Sequence, residues 1–423
     1  MENIKDLIKE YEEVLRDNPN DINTLRKLIS LYEKDKDFIK TKYYYELALK
    51  TDKKDPLLHL KFANFLVDYF HDYEKAKDLY IYTIDLDPKN IDAYINLSWL
   101  YLEQLNDINT SYIIVQEALK YVENSEIYTQ MAYIEFSKYK EYRKAEKNLQ
   151  KAIKIDKKND LAYTYLGQLY IVEGKYDNAK TIFKEALSLK NINELLIHEY
   201  IRLLIIEDKN FLEAIEVYKK ALNIFPNKVI YYAYIANLYF ILGNHVEAIN
   251  YLHMAEEFEI KDQETLLMIG YLKVILDDNK EGALMYFEKV IELNPTNLNA
   301  LSFIGFYNLI NNQQIDTALN YFKKIADLSK DSFIVHYIIA QIYLLYYHEP
   351  TEALDYLLKI NLERLNHTEK SHILYVIGNI YEKHVGNNHL ALDYYEQAYQ
   401  VEPSTYLEKV ISRIYDNDKT IIN

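Results

Sequence analysis

The sequence predicts an all-α protein, a right-handed superhelical solenoid of antiparallel helix hairpins with a capping helix at each end. Three observations predict it. A small side chain recurs about every 35 residues, prolines follow the same period, and glycine and proline number only 8 and 7 among 423 residues. So few turn-forming residues fit helices joined by short loops, and a repeat array can reach this length without one central core.

The second helix of each repeat is predicted from a small or aliphatic residue, mostly alanine, that recurs near its C-terminal end. We call these residues the alanine-rich track. Successive members are 34 or 35 residues apart, with a last interval of 38: Ala48, Thr83, Ala118, Ala152, Ala186, Ala221, Ala255, Val290, Ile325, Ile360 and Ala398. A large apolar residue stands three positions before each, and usually an alanine four before that, as in Ala179, Phe183 and Ala186. These spacings place all three on one helical face.

Prolines mark where these second helices end. They lie five residues after the track position or its equivalent: Pro19, Pro88, Pro226, Pro295 and Pro403. Proline cannot continue a helix, and it disfavours the helical conformation at the residue before it. Each proline therefore predicts a helix end.

The first helix of each repeat carries an apolar–small pair, often with tyrosine three residues later. Examples are Leu166-Gly167 with Tyr170, Ile235-Ala236 with Tyr239, Ile304-Gly305, Ile339-Ala340 with Tyr343, and Ile377-Gly378 with Tyr381. Glycine inside a helix costs about 1 kcal/mol relative to alanine. We expect close approach of the paired helix to offset that cost.

Residues Asp160 to Asn191 closely resemble the tetratricopeptide repeat (TPR) signature. The matching positions are Leu166, Gly167, Tyr170, Gly174, Tyr176, Ala179, Phe183 and Ala186. The resemblance extends from about Asp21 to Pro403, which implies about eleven tandem repeats over residues 21–403. Residues 1–20 and 404–423 are then capping helices, and a longer connection near 361–371 is a possible joint. In six repeats we place one extra residue in the loop between the two helices.

Two RNA-binding repeat families are rivals, because the average period of 35 also suits pentatricopeptide repeats, which read single-stranded RNA. The formal net charge of −16 opposes phosphate binding. A small residue late in the second helix is typical of TPRs and not of pentatricopeptide repeats. The second rival, a half-a-TPR array, would have recurring tryptophans, and Trp99 is the only tryptophan in this sequence. We therefore expect no nucleic acid partner.

Composition and motifs restrict the remaining functions. The chain has no cysteine, no secretory signal pattern and no long uncharged apolar stretch. No nucleotide loop, nucleophile elbow or metalloprotease helix occurs, and spacings of five within His367/His372 and His384/His389 do not suit a metal. We expect a cytoplasmic protein that is not an enzyme and has no cofactor or metal; the repeats leave no room for a catalytic domain such as a glycosyltransferase.

The resemblance implies a scaffold or adaptor that holds a partner peptide or helix in a concave groove lined by first helices. A co-chaperone that clamps a chaperone's C-terminal carboxylate is the alternative. Asn64 and Asn96 match that subtype's asparagines, but Leu60 replaces a lysine, and Thr129 and Gln130 stand where basic residues are needed.

Another TPR subtype repeats an asparagine just before the apolar–small pair, and here only Asn96 matches. Apolar or aromatic residues take that position elsewhere: Tyr165, Tyr234, Met268, Phe303, Ile338 and Val376. Two interpretations stay open. These residues pack against the neighbouring repeat, or they form an apolar trough for an amphipathic partner helix.

A basic stripe on one second helix is a separate candidate. Its members are Lys144, Lys147, Lys151 and Lys154. A solvated outer face is the usual role of such lysines, and a site for an acidic partner is the alternative.

Overall fold

The computed structural model describes residues 2–189, 192–310 and 314–421; Asn191, which ends the TPR-like segment, lies outside them. The chain forms two compact units, Met1–Val217 and Tyr218–Asn423. No helix among the described residues is both long enough and apolar enough to cross a membrane.

The described residues are helical and contain no β-strand, which confirms the predicted all-α class. The helices of the first unit are α1 (Glu2–Asp17), α2 (Ile22–Asp35), α3 (Phe38–Thr51), α4 (Pro56–Phe70), α5 (Tyr73–Leu86), α6 (Ile91–Trp99), α7 (Ile108–Ala118), α8 (Ser125–Ser137), α9 (Tyr142–Ile155), α10 (Asp160–Val172), α11 (Tyr176–Ala186) and α12 (Glu194–Arg202). The boundary between the units falls inside α13 (Phe211–Ile224).

The second unit continues the same alternation. Its helices are α14 (Val229–Ile241), α15 (His245–Glu256), α16 (Gln263–Asp277), α17 (Lys280–Leu293), α18 (Leu298–Ile310), α19 (Ile315–Leu328), α20 (Phe333–Ile342), α21 (Pro350–Leu357), α22 (His367–Ile380), α23 (Asn388–Val401) and α24 (Thr405–Ile421). A 3₁₀ turn, Leu362–Arg364, lies in the long connection. Flexibility of that connection stays a prediction, as do the domain boundaries.

Each first helix pairs with the helix that follows it. Five such hairpins lie in the described part of each unit, from α2/α3 to α10/α11 and from α14/α15 to α22/α23. Near the end of the first unit, Tyr200 of α12 donates a hydrogen bond of 2.6 Å to Glu213 of α13. Helices α1 and α24 pack on the outermost hairpins.

The repeating tracks form the contact between paired helices. All members of the alanine-rich track are buried, as are the large residue three positions before each and the alanine four positions earlier. The prolines stand where predicted, each two residues beyond a helix end, such as Pro88 after α5 and Pro295 after α17. The predicted close approach is also present, since Gly167 lies against the ring of Phe183.

In four of the longer repeats the first helix continues in a π-helical turn, which places the extra residue in the helix end and not in the loop as predicted. In the α8/α9 hairpin four residues, 138–141, link the helices, so there the extra residue is in the loop. In eight described hairpins the residue immediately before the second helix donates its N–H to the carbonyl six residues earlier: Asp72 to Leu66, Asp107 to Tyr101, Glu141 to Glu135, Asn210 to Leu204, Asn279 to Lys273, Gln314 to Asn308, Glu349 to Tyr343 and Asn387 to Tyr381. In three others it reaches back five: Asp37 to Tyr32, Lys175 to Tyr170 and Asn244 to Tyr239.

Four first helices end in a π-helical turn, at Leu100–Gln104, Leu203–Glu207, Tyr343–Tyr347 and Tyr381–Val385. This wider turn keeps the backbone N–H and C=O groups of the longer link paired. A π-turn absorbs one inserted residue while the helix continues.

Candidate protein-binding face

The first helices of the second unit have one buried face and one exposed apolar face. In α16, Ile269 and Gly270 are buried, and Gly270 lies against the ring of Phe287 on the paired helix. On another side of the same helix, Tyr271 and Ile275 are exposed. The two are four residues apart, so they share one stripe of the helix surface.

An exposed aliphatic residue recurs at the same register on four successive first helices. We call the set the aliphatic ladder: Ile241, Ile275, Ile310 and Leu345 are 52%, 52%, 67% and 61% exposed. They follow one another at intervals of 34 or 35 residues. A single exposed aliphatic side chain is ordinary, but recurrence at one register concentrates apolar surface on one side of the unit.

Each ladder residue stands seven positions after a predicted groove residue, which places the pair two turns apart on one face. Those groove residues are Tyr234, Met268, Phe303 and Ile338, and each is half-buried. Phe303 stacks on Phe287 with ring centroids 4.0 Å apart. The residues at the predicted groove position are therefore packed against their neighbours, and the ladder is the exposed part of the same face.

Tyr234 links two adjacent repeats. Its ring lies 5.5 Å from that of Tyr218, and its hydroxyl donates a hydrogen bond to Glu264 at the start of α16. Burial, followed by this bond, raises the pKa of the Tyr234 phenol. The hydroxyl therefore stays protonated and continues to donate.

The remaining members of the predicted set also pack inside their units. Met268 and Ile338 contact core clusters, and Val376 lies against the cluster formed by α20, α21 and α22. In the first unit, Tyr165 is 9% exposed, and its ring lies 5.0 Å from that of Tyr133. Burial raises the pKa of Tyr165 to about 12. These contacts are those of the packing interpretation; a role in partner binding stays a prediction.

The first unit has its own exposed aliphatic residues at the ladder register. Val172 and Ile206 are 57% and 60% exposed. Earlier repeats place Asp68, Glu103 and Ser137 at the equivalent position. The character of this register thus changes from polar to aliphatic within the first unit.

Asn64 and Asn96 contact each other. The Asn96 Nδ2 donates to Asn64 Oδ1 at 2.9 Å, and the Tyr80 hydroxyl donates to the same oxygen at 2.7 Å. Asn64 follows its small residue by one position, whereas Asn96 precedes its own by two. The two amides therefore form one junction between adjacent repeats and are not register equivalents.

A cleft of about 340 Å³ surrounds this junction, and Asp68, Glu103 and Trp99 are part of its lining. The other positions of the carboxylate clamp provide no cation. Leu60, Thr129 and Gln130 are all buried, and the Gln130 Nε2 donates to the Ile95 carbonyl at 3.2 Å. The carboxylates at the cleft would repel an acidic chain end.

The basic stripe lies on α9 with part of its charge already paired. Lys144 contacts Glu141 at 2.8 Å, and Lys151 contacts Glu123 at 2.6 Å. The Lys151 ammonium also stands 4.3 Å from the centre of the Tyr128 ring. Lys147 and Lys154 are exposed on the same helix.

The late histidines are not gathered into a metal centre. His372 Nε2 lies 3.2 Å from the Tyr337 hydroxyl. Within the residues that the structure describes, no group of three or more His, Cys, Asp or Glu side chains is arranged to hold a metal ion.

Comparison with known proteins finds similarity to tetratricopeptide repeat proteins. The tetratricopeptide repeat family model matches residues 162–193 and 371–405. The TPR repeat-containing protein MJ1428 of Methanocaldococcus jannaschii is 24% identical over 311 residues, which cover 65% of this chain and 53% of that protein. The chain thus spans about half the length of this relative.

Solved structures with a similar fold include a tetratricopeptide repeat protein from Parabacteroides merdae. It is 18% identical, with coverage of 63% of this chain and 98% of that one and a TM-score of 0.36. PilW, a type IV pilus biogenesis factor, is 20% identical, with coverage of 48% and 94% and a TM-score of 0.40. The chain is thus similar to tetratricopeptide repeat proteins in two segments of its sequence.

Proposed function

We propose that this protein is a non-enzymatic scaffold that binds a segment of a partner protein along the exposed face of its first helices. Tetratricopeptide repeat proteins bind protein partners and are generally non-catalytic scaffolds. The observation that carries the proposal here is the aliphatic ladder, in which Ile241, Ile275, Ile310 and Leu345 are each more than half exposed.

The ladder is costly to leave in water. Burying apolar surface gains about 25 cal/mol per Å², and contiguous exposed apolar surface on a soluble protein commonly marks an interaction site. Tyr271 and Phe306 extend the same face by one turn on α16 and α18, and both are also exposed. An amphipathic helix or an extended segment would cover these side chains together.

The half-buried residues two helical turns before the ladder give the same face a fixed shape. Phe303 rests on Phe287, and Tyr234 is tied to Glu264 in the next repeat. A face held by packed rings needs little reorganisation on binding, and preorganisation improves affinity. This supports a role for Tyr234, Met268, Phe303 and Ile338 as the supporting layer of the site, with Val376 and Tyr165 at the same register.

The other candidate functions have less support. A chaperone-tail clamp would need cations where Leu60, Thr129 and Gln130 are buried. RNA binding is opposed by the net charge of −16. A gel shift with mixed RNA at physiological salt would revive the RNA function if a complex formed. A cytoplasmic location stays a prediction.

Selection from a peptide-display library on the full-length protein tests the proposal. We expect enriched sequences whose synthetic peptides bind the protein in solution and protect the amides of the first helices from hydrogen exchange. The matched control is the same selection on the bare support. Repeated selections with no peptide above that control would contradict the scaffold function.

A further inference from the structure

A cavity of about 580 Å³ lies between α19, α20 and α21 of the second unit. We call it the lysine pocket, and its lining consists of Lys323, Ala326, Asp327, Lys330, His336, Tyr356 and Lys359. Clefts of about 300–1,000 Å³ are typical of small-molecule sites. The lysine pocket is therefore large enough for a small organic molecule.

The lining of the lysine pocket is positive, although the chain as a whole is acidic. Three lysines and one aspartate line it, which gives the lining a formal charge of +2, against −16 for the whole chain. None of Lys323, Lys330 and Lys359 forms an ion pair with a carboxylate of the residues that the structure describes. Their charge is therefore available to a ligand.

The acidic residues nearby do not line the pocket. Glu352 and Asp355 are exposed on α21 and lie outside the lining. Glu352 acts on Lys323, but less strongly than the hydrogen bond of that lysine with a tyrosine hydroxyl. Asp331, in the link after α19, pairs with Arg364. These carboxylates reduce the positive potential of the pocket without cancelling it.

Two neighbouring tyrosine rings hold two of the ammonium groups. The Lys359 Nζ lies 4.6 Å from the centre of the Tyr356 ring, and the Lys323 Nζ lies 5.3 Å from that of Tyr343. The two rings are 5.9 Å apart and stacked. Cation–π contacts favour these positions of the ammonium groups. The hydrogen bond with Tyr343 raises the pKa of Lys323, so this lysine stays charged near neutral pH.

His336 adds a polar atom to the lining. The residue is 7% exposed, and its Nδ1 lies 2.9 Å from the Ser332 carbonyl oxygen. A carbonyl only accepts, so Nδ1 carries the proton and Nε2 is an acceptor in the neutral ring. In the part of the chain that the structure describes, Nε2 has no hydrogen-bond partner. It is therefore able to accept a hydrogen bond from a hydroxyl of a ligand.

We propose that the lysine pocket binds a small phosphate ester, whose phosphate group contacts Lys323, Lys330 and Lys359. A phosphate monoester carries a charge of about −1.5 to −2 near neutral pH, which matches the formal charge of the lining. Lysine binds phosphate well as a point charge. The rest of the ligand would contact the Tyr356 ring and offer a hydroxyl to His336. The lysines belong to α19 and to the links after α19 and α21, so this site is separate from the aliphatic ladder.

The acidity of the whole chain favours a small ester over a long polyanion. A nucleic acid would bring many phosphates past the acidic surface around the pocket, and the net charge of −16 opposes that approach. A single phosphate group meets only the local charge of the lining, because salt screens more distant charges within about 10 Å. The inference does not depend on the proposed scaffold function.

Phenyl phosphate and phenyl sulfate are matched probes, because they have nearly the same shape and the phosphate carries the greater negative charge. Binding of each to the full-length protein is measured by isothermal titration calorimetry slightly above neutral pH. We expect phenyl phosphate to bind with a Kd of about 1 mM or tighter. Phenyl sulfate should bind about tenfold or more weakly, since it loses charge against the same three lysines.

Two double variants locate the site. Lys330→Gln with Lys359→Gln removes two exposed lysines of the lining and should weaken phenyl phosphate about tenfold or more. Lys289→Gln with Lys324→Gln makes the same change of charge outside the lining, at two exposed lysines that lie 5.7 and 5.4 Å from tyrosine rings. This control should change the affinity by less than about twofold. If the first pair lowers the helical circular dichroism, Lys330→Gln alone should still weaken binding.

A Kd for phenyl phosphate above about 10 mM would overturn the inference. Equal affinities for the two probes, or equal losses in the two double variants, would also overturn it, because the charge of the lining would then not select the ligand. A phosphoserine tripeptide is the third probe and should bind no more tightly than phenyl phosphate. Binding of that peptide about tenfold more tightly would assign the pocket to a phosphorylated protein instead of a small ester.

Discussion

Gly167 lies so close to Phe183 that a Cβ atom at position 167 would stand 2.3 Å from the Cζ of the ring. Real Cβ atoms do not approach other atoms this closely. The first and second helices of this hairpin therefore meet through a glycine, and the ring fills the space that any side chain would occupy. The same arrangement, with more room, occurs at Gly305, where a Cβ would stand 3.1 Å from Phe322.

Gly167→Ala should destabilise its hairpin by about 1–3 kcal/mol, because overpacking displaces the Phe183 ring. Alanine is the better helix former by about 1 kcal/mol, so the steric cost must exceed that gain. Hydrogen exchange should show faster opening in α10 and α11 and little change in distant hairpins, since coupling in an array is between neighbours.

Gly305→Ala is the matched control for this prediction. Its Cβ has more room, so we expect a smaller loss or none. Equal destabilisation by both substitutions, or loss of protection along the whole chain, would contradict the local explanation.

Glu135 gives a prediction about pH. Its carboxylate is buried and accepts hydrogen bonds of 2.8 Å from the Tyr112 hydroxyl and the Asn148 Nδ2. Burial raises the pKa of Glu135 above its ordinary 4.5, although both bonds and nearby Lys144 act the other way. The folded state therefore holds this proton more tightly than the unfolded state.

The sign of the effect follows from linkage. Between pH 4.5 and the raised pKa the folded protein binds more protons, so the Glu135 contribution to stability falls as pH rises. Urea unfolding of wild type and Glu135→Gln over this range should show that the unfolding free energy of the variant increases relative to that of wild type as pH rises. A difference that does not vary with pH would contradict the raised pKa.

Lys273 gives a prediction about a charge pair. Its ammonium contacts Glu256, which also accepts a hydrogen bond of 2.9 Å from the Tyr286 hydroxyl. Lys273→Met should cost about 2–3 kcal/mol, because it leaves the Glu256 carboxylate partly buried without its cation. Adding Glu256→Gln should recover part of the loss, and a double-mutant cycle on unfolding free energies measures the coupling. Strict additivity would contradict a direct interaction.

The hairpins could be predicted from sequence because their contact depends on residue size at fixed spacing. Gly167, Phe183 and Ala186 are buried together for that reason. The π-turns could not be predicted, since one added residue between Tyr381 and Ala391 fits either a longer loop or a widened helix end. The hydrogen bond from Asn387 N–H to the Tyr381 carbonyl shows the second arrangement.

The ladder was missed for a different physical reason. Helices α14 and α18 are apolar on nearly all sides, so periodicity does not indicate which face is buried. Phe303 and Ile310 are both apolar and lie on one stripe of α18. Only the position of the Phe287 ring, which stacks on Phe303, distinguishes the packed part of this face from its exposed part. The aliphatic recurrence seven residues after the predicted groove positions was available in the sequence.

The basic stripe on α9 should be dispensable for stability. Lys144 and Lys151 make ion pairs at the surface, and such pairs contribute little because water and salt screen them. Changing Lys144, Lys147, Lys151 and Lys154 together to glutamine should leave the melting temperature nearly unchanged at physiological salt. If the stripe binds an acidic partner, wild type but not the variant will bind polyglutamate, with affinity that falls steeply as salt rises.

Phe303 and Ile310 offer the sharpest separation of packing from binding, because they lie on one stripe of one helix and differ in exposure. Phe303 is half-buried with its ring stacked on Phe287, whereas Ile310 is 67% exposed. Phe303→Ser should destabilise the second unit by about 1–3 kcal/mol, less than a fully buried phenylalanine would lose. Ile310→Ser should stay within about 0.5 kcal/mol of wild type.

Binding should follow a different order from stability. Ile310→Ser removes an accessible apolar contact and should weaken display-selected peptides without lowering the helical circular dichroism. Phe303→Ser should weaken the binding of these peptides only to the extent that it disturbs the packing of this face. The thermal unfolding of the variant should shift at the same time. If Phe303→Ser abolished binding with an unchanged melting curve, the phenylalanine itself would contact the partner. The apolar-trough interpretation would then replace the packing interpretation.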